Sequence, residues 1–124
     1  MLTRAFAFGI FAQWVLKVIK AVICYDVPVG KQDEYLKFMR EEFKPFYEAN
    51  GCRAFNIFRE VSRENNKDFV APDQLMQEIV FDDIPTMDKF RSQFNNEPWK
   101  SLLERYHSWH IPGSVIIKHY ISEV

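Results

Sequence analysis

The sequence contains few of the residues on which specialised scaffolds depend. Its 124 residues include two cysteines, four glycines and six prolines, which excludes a disulfide framework and a low-complexity chain. Cys24 and Cys52 lie too far apart for a metal-type Cys spacing, so we expect no metal site built on them. The length suits one domain.

The sequence also lacks an excess of charge of either sign. It has 16 Lys and Arg against 17 Asp and Glu, a formal net charge of −1, and the two signs are interleaved. There is no basic stripe for nucleic acid and no polybasic patch for a membrane surface, so we expect no nucleic-acid partner. A chain with two unpatterned cysteines is typical of the reducing cytoplasm, which is the predicted localisation.

One long apolar run is present, at residues 5–16 (AFAFGIFAQWVL). Its twelve residues are fewer than the roughly twenty needed to span a bilayer, and no small-x-small cleavage site follows it. We interpret residues 1–17 as an apolar N-terminal extension packed against the fold. There are two alternatives, which we consider less favoured. The run could be exchanged with a partner subunit, or residues 5–16 could make a weak membrane contact.

Aromatic and β-branched residues, by contrast, are abundant. Aromatics make up 16% of the chain and hydrophobic residues 48%, enough for a sizeable core. Runs rich in β-branched and alternating residues predict strands at 18–27, 52–61, 74–82 and 115–122. The polar stretch 62–73 predicts a long loop between the second and third strands.

Two helical regions separate these strands. The first carries an apolar stripe, should kink at Pro45 and ends at Gly51; the stripe consists of Leu36, Met39, Phe43, Phe46 and Tyr47. The second is predicted to begin with Thr86 as N-cap, to break at Asn95-Asn96 and to resume after Pro98.

The element order is therefore βαββαβ. Right-handed crossovers then give a ferredoxin-like α+β domain over residues 18–124, with an antiparallel sheet in the order 4-1-3-2 and both helical regions on one face.

Side-chain alternation divides each strand between two faces of this sheet. The predicted helix-facing set is Ile19, Ala21, Ile23, Tyr25, Leu75, Gln77, Ile79, Phe81, Val115, Ile117, His119 and Ile121. The opposite set, which we call the open face, is Val18, Lys20, Val22, Cys24, Met76, Glu78, Val80, Ile116, Lys118 and Tyr120. The open face is too apolar to remain in water, so we expect a homodimer formed through it. A monomer with its N-terminal segment folded over the open face is the alternative.

The segment Pro28-Val29-Gly30-Lys31 and the broken second helical region, Phe90 to Trp99 with Asn96-Glu97-Pro98, resemble the dimeric α/β-barrel superfamily. The nearest branch is the antibiotic-biosynthesis-monooxygenase-like group, which includes small quinol monooxygenases. The resemblance covers residues 18–122. It implies two ferredoxin-like subunits forming a barrel, each with a pocket between its sheet and its helices. Many members oxidise phenolic or quinol-type substrates with molecular oxygen and no cofactor, and others degrade haem.

The resemblance does not extend to every catalytic position. Where the haem-degrading branch has Asn, Trp and His, this chain has Ile23, Gln93 and Leu103, so we expect no haem and no other cofactor. Phe94 stands where monooxygenase-like members often have a histidine.

The polar residues of the inner face supply the candidate site. A neutral His119 could accept a proton from a phenolic hydroxyl, as the catalytic base. Tyr25 and Gln77 could orient a small aromatic or quinol-like substrate, with Trp99 and Tyr106 as an aromatic wall. The predicted function is therefore a cofactor-independent monooxygenase. The alternative is a non-catalytic dimeric module that binds a small hydrophobic ligand, with His119 as a core histidine.

Two further features are less specific. Asn56 lies on the second strand and could reach the pocket, although its register is undecided. His107 and His110 have a spacing that could hold a metal with Glu104. A solvent-facing helix end explains these histidines more simply, so we predict no metal site.

Overall fold

The computed structural model describes the backbone of residues 17–64 and 67–123, and their side chains apart from those of 60–73. The predicted packing of the apolar N-terminal run, and any membrane contact through it, therefore lie outside the described residues. Within the described ranges, no helix is long and apolar enough to cross a membrane.

Four antiparallel strands form one sheet. They are β1 (Ile19–Asp26), β2 (Ala54–Glu64), β3 (Lys67–Phe81) and β4 (Ile116–Ile121), in the order β2-β3-β1-β4. This is the predicted order read from the other edge. With the helical regions between β1 and β2 and between β3 and β4, it confirms the ferredoxin-like α+β class.

The β2–β3 hairpin differs from its prediction. Pairing continues to Glu64 opposite Lys67, so most of the stretch predicted as a loop is strand. A two-stranded ribbon satisfies its backbone hydrogen bonds without burying side chains, and polar composition therefore does not exclude it. The register shifts between Arg59 and Val61, and Pro72 falls within this break, where its missing N–H is tolerated.

The first helical region consists of α1 (Gln32–Phe38), a π-helical turn at Met39–Phe43 and α2 (Lys44–Ala49). Pro45 lies in the first turn of α2, directly after the widened turn, so the irregularity expected at this proline takes the form of a π turn. The region ends at Gly51, whose φ of 103° confirms the predicted left-handed position.

The second helical region consists of α3 (Ile84–Arg91) and α4 (Trp99–Ser108), and the predicted break at Asn95-Asn96 lies between them. The predicted N-cap at Thr86 is wrong. The cap is Asp83, whose carboxylate accepts a hydrogen bond from the Thr86 backbone N–H at 2.8 Å. The helix can start before Pro85 because the first turn needs no N–H from that residue.

The core lies between the helices and one face of the sheet. The sheet contributes Ile19, Ala21, Tyr25, Phe55, Leu75, Gln77, Ile79 and Phe81, as alternation predicted, with Phe55 in addition. The helices contribute Tyr35, Phe38, Met39, Phe43, Tyr47, Met87, Phe90, Trp99 and Tyr106. Strand β4 is an exception. Ile117 and His119 pair with Ile23 and Ala21 on the helix-facing side, yet Ile117 is 54% exposed.

Candidate functional site

A cluster of buried polar side chains lies between the sheet and the helices. The hydroxyls of Tyr25 and Tyr106 both donate to Gln77 Oε1, at 2.9 and 3.0 Å. The Tyr35 hydroxyl lies 2.6 Å from that of Tyr25 and 3.2 Å from His110 Nε2. We call these five residues the tyrosine cluster. Three of its members, Tyr25, Gln77 and Tyr106, are predicted site residues that the fold brings together.

The direction of these hydrogen bonds determines the state of His110. Tyr25 gives its proton to Gln77, and Tyr35 gives its proton to Tyr25. The donor to the Tyr35 oxygen must then be a protonated His110 Nε2. Burial, aided by the charge of His107, lowers the pKa of His110 to about 4, so the ring is neutral and its Nδ1 is an acceptor. Neither Gln77 Nε2 nor His110 Nδ1 has a hydrogen-bond partner among the described residues.

The chemistry of the cluster is limited by its burial. Desolvation raises the pKa of Tyr25, of Tyr35 and of Tyr106 above the usual range. All three therefore remain neutral phenols near pH 7 and cannot act as bases. Their hydroxyls are also engaged with one another and with Gln77. The arrangement fixes β1, β3 and the helices relative to each other.

His119 occupies a different place from the cluster. Its exposed ring lines a cavity of about 270 Å³ between the sheet and α3, which we call the inner cavity. The remaining lining residues are Ala21, Ile23, Tyr47, Ile79, Phe81, Met87, Phe90, Arg91, Phe94 and Ile117. None of them belongs to the tyrosine cluster, so the predicted base and the predicted orienting residues do not share one site.

Two polar residues beside His119 were missed by the sequence analysis. Tyr47 is 4% exposed, and its hydroxyl is not hydrogen-bonded to any described residue. Arg91 ends α3 at the surface and has no carboxylate within 4 Å among the described side chains. The one signal for Tyr47 is a hydroxyl within an otherwise apolar helical stripe. Arg91 gave no signal, since a terminal helix arginine is commonly solvated.

Solved structures of low sequence similarity share the whole fold. A putative antibiotic biosynthesis monooxygenase from Caulobacter crescentus aligns with a TM-score of 0.60 at 14% identity, over 94% of this chain and 99% of its own. SnoaB, a cofactor-independent oxygenase from Streptomyces nogalater, gives 0.57 at 10% identity, over 87% and 95%. A hydroxynitrile lyase from Passiflora edulis gives 0.63 at 7% identity, over 88% and 97%. No protein-family model matches the sequence, and no curated protein matches it.

This chain shares its fold with a putative antibiotic biosynthesis monooxygenase, a cofactor-independent oxygenase and a NIPSNAP family protein. The resemblance noted in the sequence is thereby confirmed for the fold. Identities of 7–14% do not carry a reaction from one protein to another, and these structures include both an oxygenase and a lyase.

The residues present do not fit the haem bound by one branch of the dimeric α/β-barrel superfamily. Ile23 lines the inner cavity, and Gln93 accepts a hydrogen bond from the Trp99 indole at 3.1 Å. Leu103 packs partly buried against the core. Neither isoleucine nor leucine can ligate iron, and the Gln93 amide is occupied by the indole.

The structure places two further predicted site residues away from both the cluster and the inner cavity. Trp99 is buried against Phe46, Tyr47 and Phe90, as part of the core. Asn56 pairs with Glu78 of β3, which puts its side chain on the open-face side of the sheet. Neither lines the inner cavity.

One of the two histidines near the end of α4 differs from expectation. His110 is 8% exposed and belongs to the tyrosine cluster, so its interpretation as part of a solvent-facing helix end is wrong. Ile111 donates its backbone N–H to Asp26 O at 2.8 Å, which draws this segment onto β1. No three side chains of His, Cys, Asp or Glu within the described ranges are arranged to hold a metal.

Proposed function

We propose that this protein binds a small aromatic molecule in the inner cavity and oxidises it with molecular oxygen, with His119 as the base. The observation that carries the proposal is one accessible imidazole on the wall of an otherwise largely apolar cavity of about 270 Å³. Sites for drug-sized ligands span roughly 300–1,000 Å³. The volume of the inner cavity lies just below that range, which is large enough for a ligand with one substituted aromatic ring.

The chemistry requires only a base and an apolar site. His119 takes a proton from a phenolic hydroxyl of a hydroquinone and leaves an electron-rich anion. The anion reduces O₂, one oxygen atom bonds to a ring carbon, and the other leaves as water. Hydroquinone and O₂ thus give hydroxyquinone and H₂O, with four electrons passing from the ring to oxygen.

We also propose that the protein acts as a homodimer through the open face. Ile116, Tyr120 and Met76 leave 58%, 49% and 36% of their surface exposed there. The same face holds a cavity of about 580 Å³ crossed by the Lys20–Glu78 ion pair, at 3.7 Å. An apolar surface with matched charges favours a second copy over water. This arrangement leaves the inner cavity on the other side of each sheet.

Oxygen uptake tests the catalytic proposal. Wild type should consume O₂ with a panel of hydroquinones faster than their spontaneous oxidation in buffer, and His119→Gln should lose about 10²–10⁴-fold of that rate. His107→Gln is the matched control, because His107 is an exposed histidine on α4 that does not line the inner cavity. Uptake no faster than the buffer blank, or equal uptake by His119→Gln and wild type, would remove His119 as the base.

A second function is favoured by one observation. The residues predicted to orient a substrate, Tyr25 and Gln77, are hydrogen-bonded within the tyrosine cluster and do not line the inner cavity. The cavity could then bind a ligand without transforming it. Saturable binding of an aromatic ligand with no O₂ uptake would identify the protein as a binding module.

A further inference from the structure

We infer that the ligand of the inner cavity is an aromatic acid, whose carboxylate is held by Arg91 and the Tyr47 hydroxyl. This inference rests on the proposed use of the cavity, and it adds the chemical class of the ligand. Its basis is the identity of the polar groups that the cavity walls present.

The charges that line the inner cavity favour an anionic ligand. The described lining of the inner cavity includes one arginine and one histidine and no acidic residue. Arg53, Arg59 and Arg105 each lie within 4 Å of a carboxylate of the chain, at 3.5, 3.9 and 2.7 Å. Arg91 has no such partner among the described side chains. Its guanidinium can therefore bind an anion from outside without breaking an internal ion pair.

The Tyr47 hydroxyl adds a hydrogen-bond donor to the same cavity. The Tyr47 hydroxyl makes no hydrogen bond to a described residue, and it is not among the sealed polar atoms that lack a partner, so it is open to a ligand in the inner cavity. Desolvation raises the pKa of Tyr47 above its usual range, while the nearby charge of Arg91 opposes the rise. Tyr47 is therefore a donor, and Arg91 lines the same cavity.

The two groups together select the kind of ligand atom. Arg91 offers up to five N–H donors and Tyr47 offers one O–H. A carboxylate only accepts hydrogen bonds and is negative at neutral pH, so it matches both groups. The aromatic side chains Phe81, Phe90 and Phe94 in the lining suit the ring that carries it.

Equilibrium binding of three aromatic compounds to the protein tests the inference. The probes are 2,5-dihydroxybenzoate, its uncharged amide 2,5-dihydroxybenzamide, and hydroquinone, measured by calorimetry under argon to prevent oxidation. We expect the acid to bind at least about tenfold more tightly than the amide, with an affinity that falls as salt increases. Arg91→Gln should remove this preference, and Arg91→Lys should keep part of it. Tyr47→Phe should lower the affinity for the acid.

Arg40→Gln is the matched control. Arg40 is exposed on the π-helical turn and does not line the inner cavity. Its replacement should therefore leave all three affinities unchanged. Thermal unfolding of each variant establishes that it is folded. If Arg91→Gln does not fold, Arg91→Lys takes its place, because it preserves the positive charge.

The outcomes separate this inference from the proposed reaction. Equal binding of acid and amide, unaffected by Arg91→Gln, overturns the aromatic-acid inference and leaves the oxidation of neutral hydroquinones standing. Preferential binding of the acid without O₂ uptake supports the inference and contradicts the proposed oxidation. Failure of all three probes to bind at millimolar concentration overturns the inference, whereas oxygen uptake still decides the reaction.

Discussion

The hydroxyls of Tyr35 and Tyr25 lie 2.6 Å apart, and they join the first helix to the first strand inside the core. Through Tyr25 the chain of hydrogen bonds continues to Gln77 on β3 and then to Tyr106 on α4. Four elements distant in sequence are thus linked by hydrogen bonds in a site of low polarity, where each such bond is strong and each loss is costly.

Removing the Tyr25 hydroxyl should therefore destabilise the fold. Tyr25→Phe leaves the Tyr35 proton without its acceptor and Gln77 with one donor fewer, so we expect the free energy of unfolding to fall by about 1–3 kcal/mol. Urea denaturation followed by circular dichroism measures this. Lys37→Gln, at an exposed residue of α1, should change it by less than about 0.5 kcal/mol. Equal effects of the two substitutions would contradict the role of the cluster.

His110 should make stability depend on pH. Burial lowers its pKa from 6.5 to about 4 in the folded chain, so the unfolded chain binds more protons between these values. Stability therefore rises with pH, and this contribution is lost as the pH falls from about 6.5 towards 4. Tyr25, Tyr35 and Tyr106 face the ring as neutral phenols, and His107 adds a smaller effect of the same sign, since burial lowers its pKa too.

The measurement is the difference in unfolding free energy between wild type and His110→Gln at several pH values. We expect the wild type to lose more stability than the variant on going from pH 7 to 4.5. His119→Gln is the control, because His119 is an exposed histidine outside the tyrosine cluster. Parallel pH profiles for wild type and His110→Gln would show that His110 is not buried as a neutral group.

Much of the fold follows from two regularities of the sequence. Alternation along β1 and β3 assigns Tyr25 and Gln77 to the same side, because a period of two fixes every side chain once one is placed. The order βαββαβ then leaves one favoured sheet topology. Both inferences hold in the structure.

The errors arise where a local pattern has two physical outcomes. Asp83 and Thr86 are both good N-caps, and the choice depends on whether the first turn can include Pro85. The polar stretch 62–73 is equally compatible with a loop and with a two-stranded ribbon. Composition does not distinguish these alternatives.

The site was less accessible to prediction because its contacts are remote in sequence. Tyr35 and His110 are separated by 75 residues, and His110 lies beyond the end of α4, where no periodicity indicates its direction. Arg91 and Tyr47 meet the same cavity from two different helical regions. Tertiary packing, not spacing, brings these groups together.

Cys52 should be chemically inert in the folded protein. It is 7% exposed, its thiol donates to Ala54 O at 3.0 Å, and burial raises its pKa to about 11. At pH 8 only about one thiol in a thousand is then ionised. In Cys24→Ser protein, a disulfide reagent should react at least about 100-fold faster in 6 M urea than in buffer. Rapid reaction in buffer would mean that this thiol is reachable in the folded state.

The homodimer is tested by placing a charge in the centre of the open face. Val22 pairs with Glu78 on one side and Lys118 on the other, so Val22→Glu puts a second carboxylate beside Glu78 where two apolar sheets would meet. Wild type should sediment at twice 14.8 kDa at micromolar concentration, and the variant at 14.8 kDa. Lys37→Glu, a substitution at an exposed residue of α1, should remain dimeric.

Cys24, also on the open face, should be alkylated faster in Val22→Glu than in wild type, because separation of the subunits uncovers it. A wild-type monomer with the same Cys24 reactivity as the variant would show that no second copy covers this face.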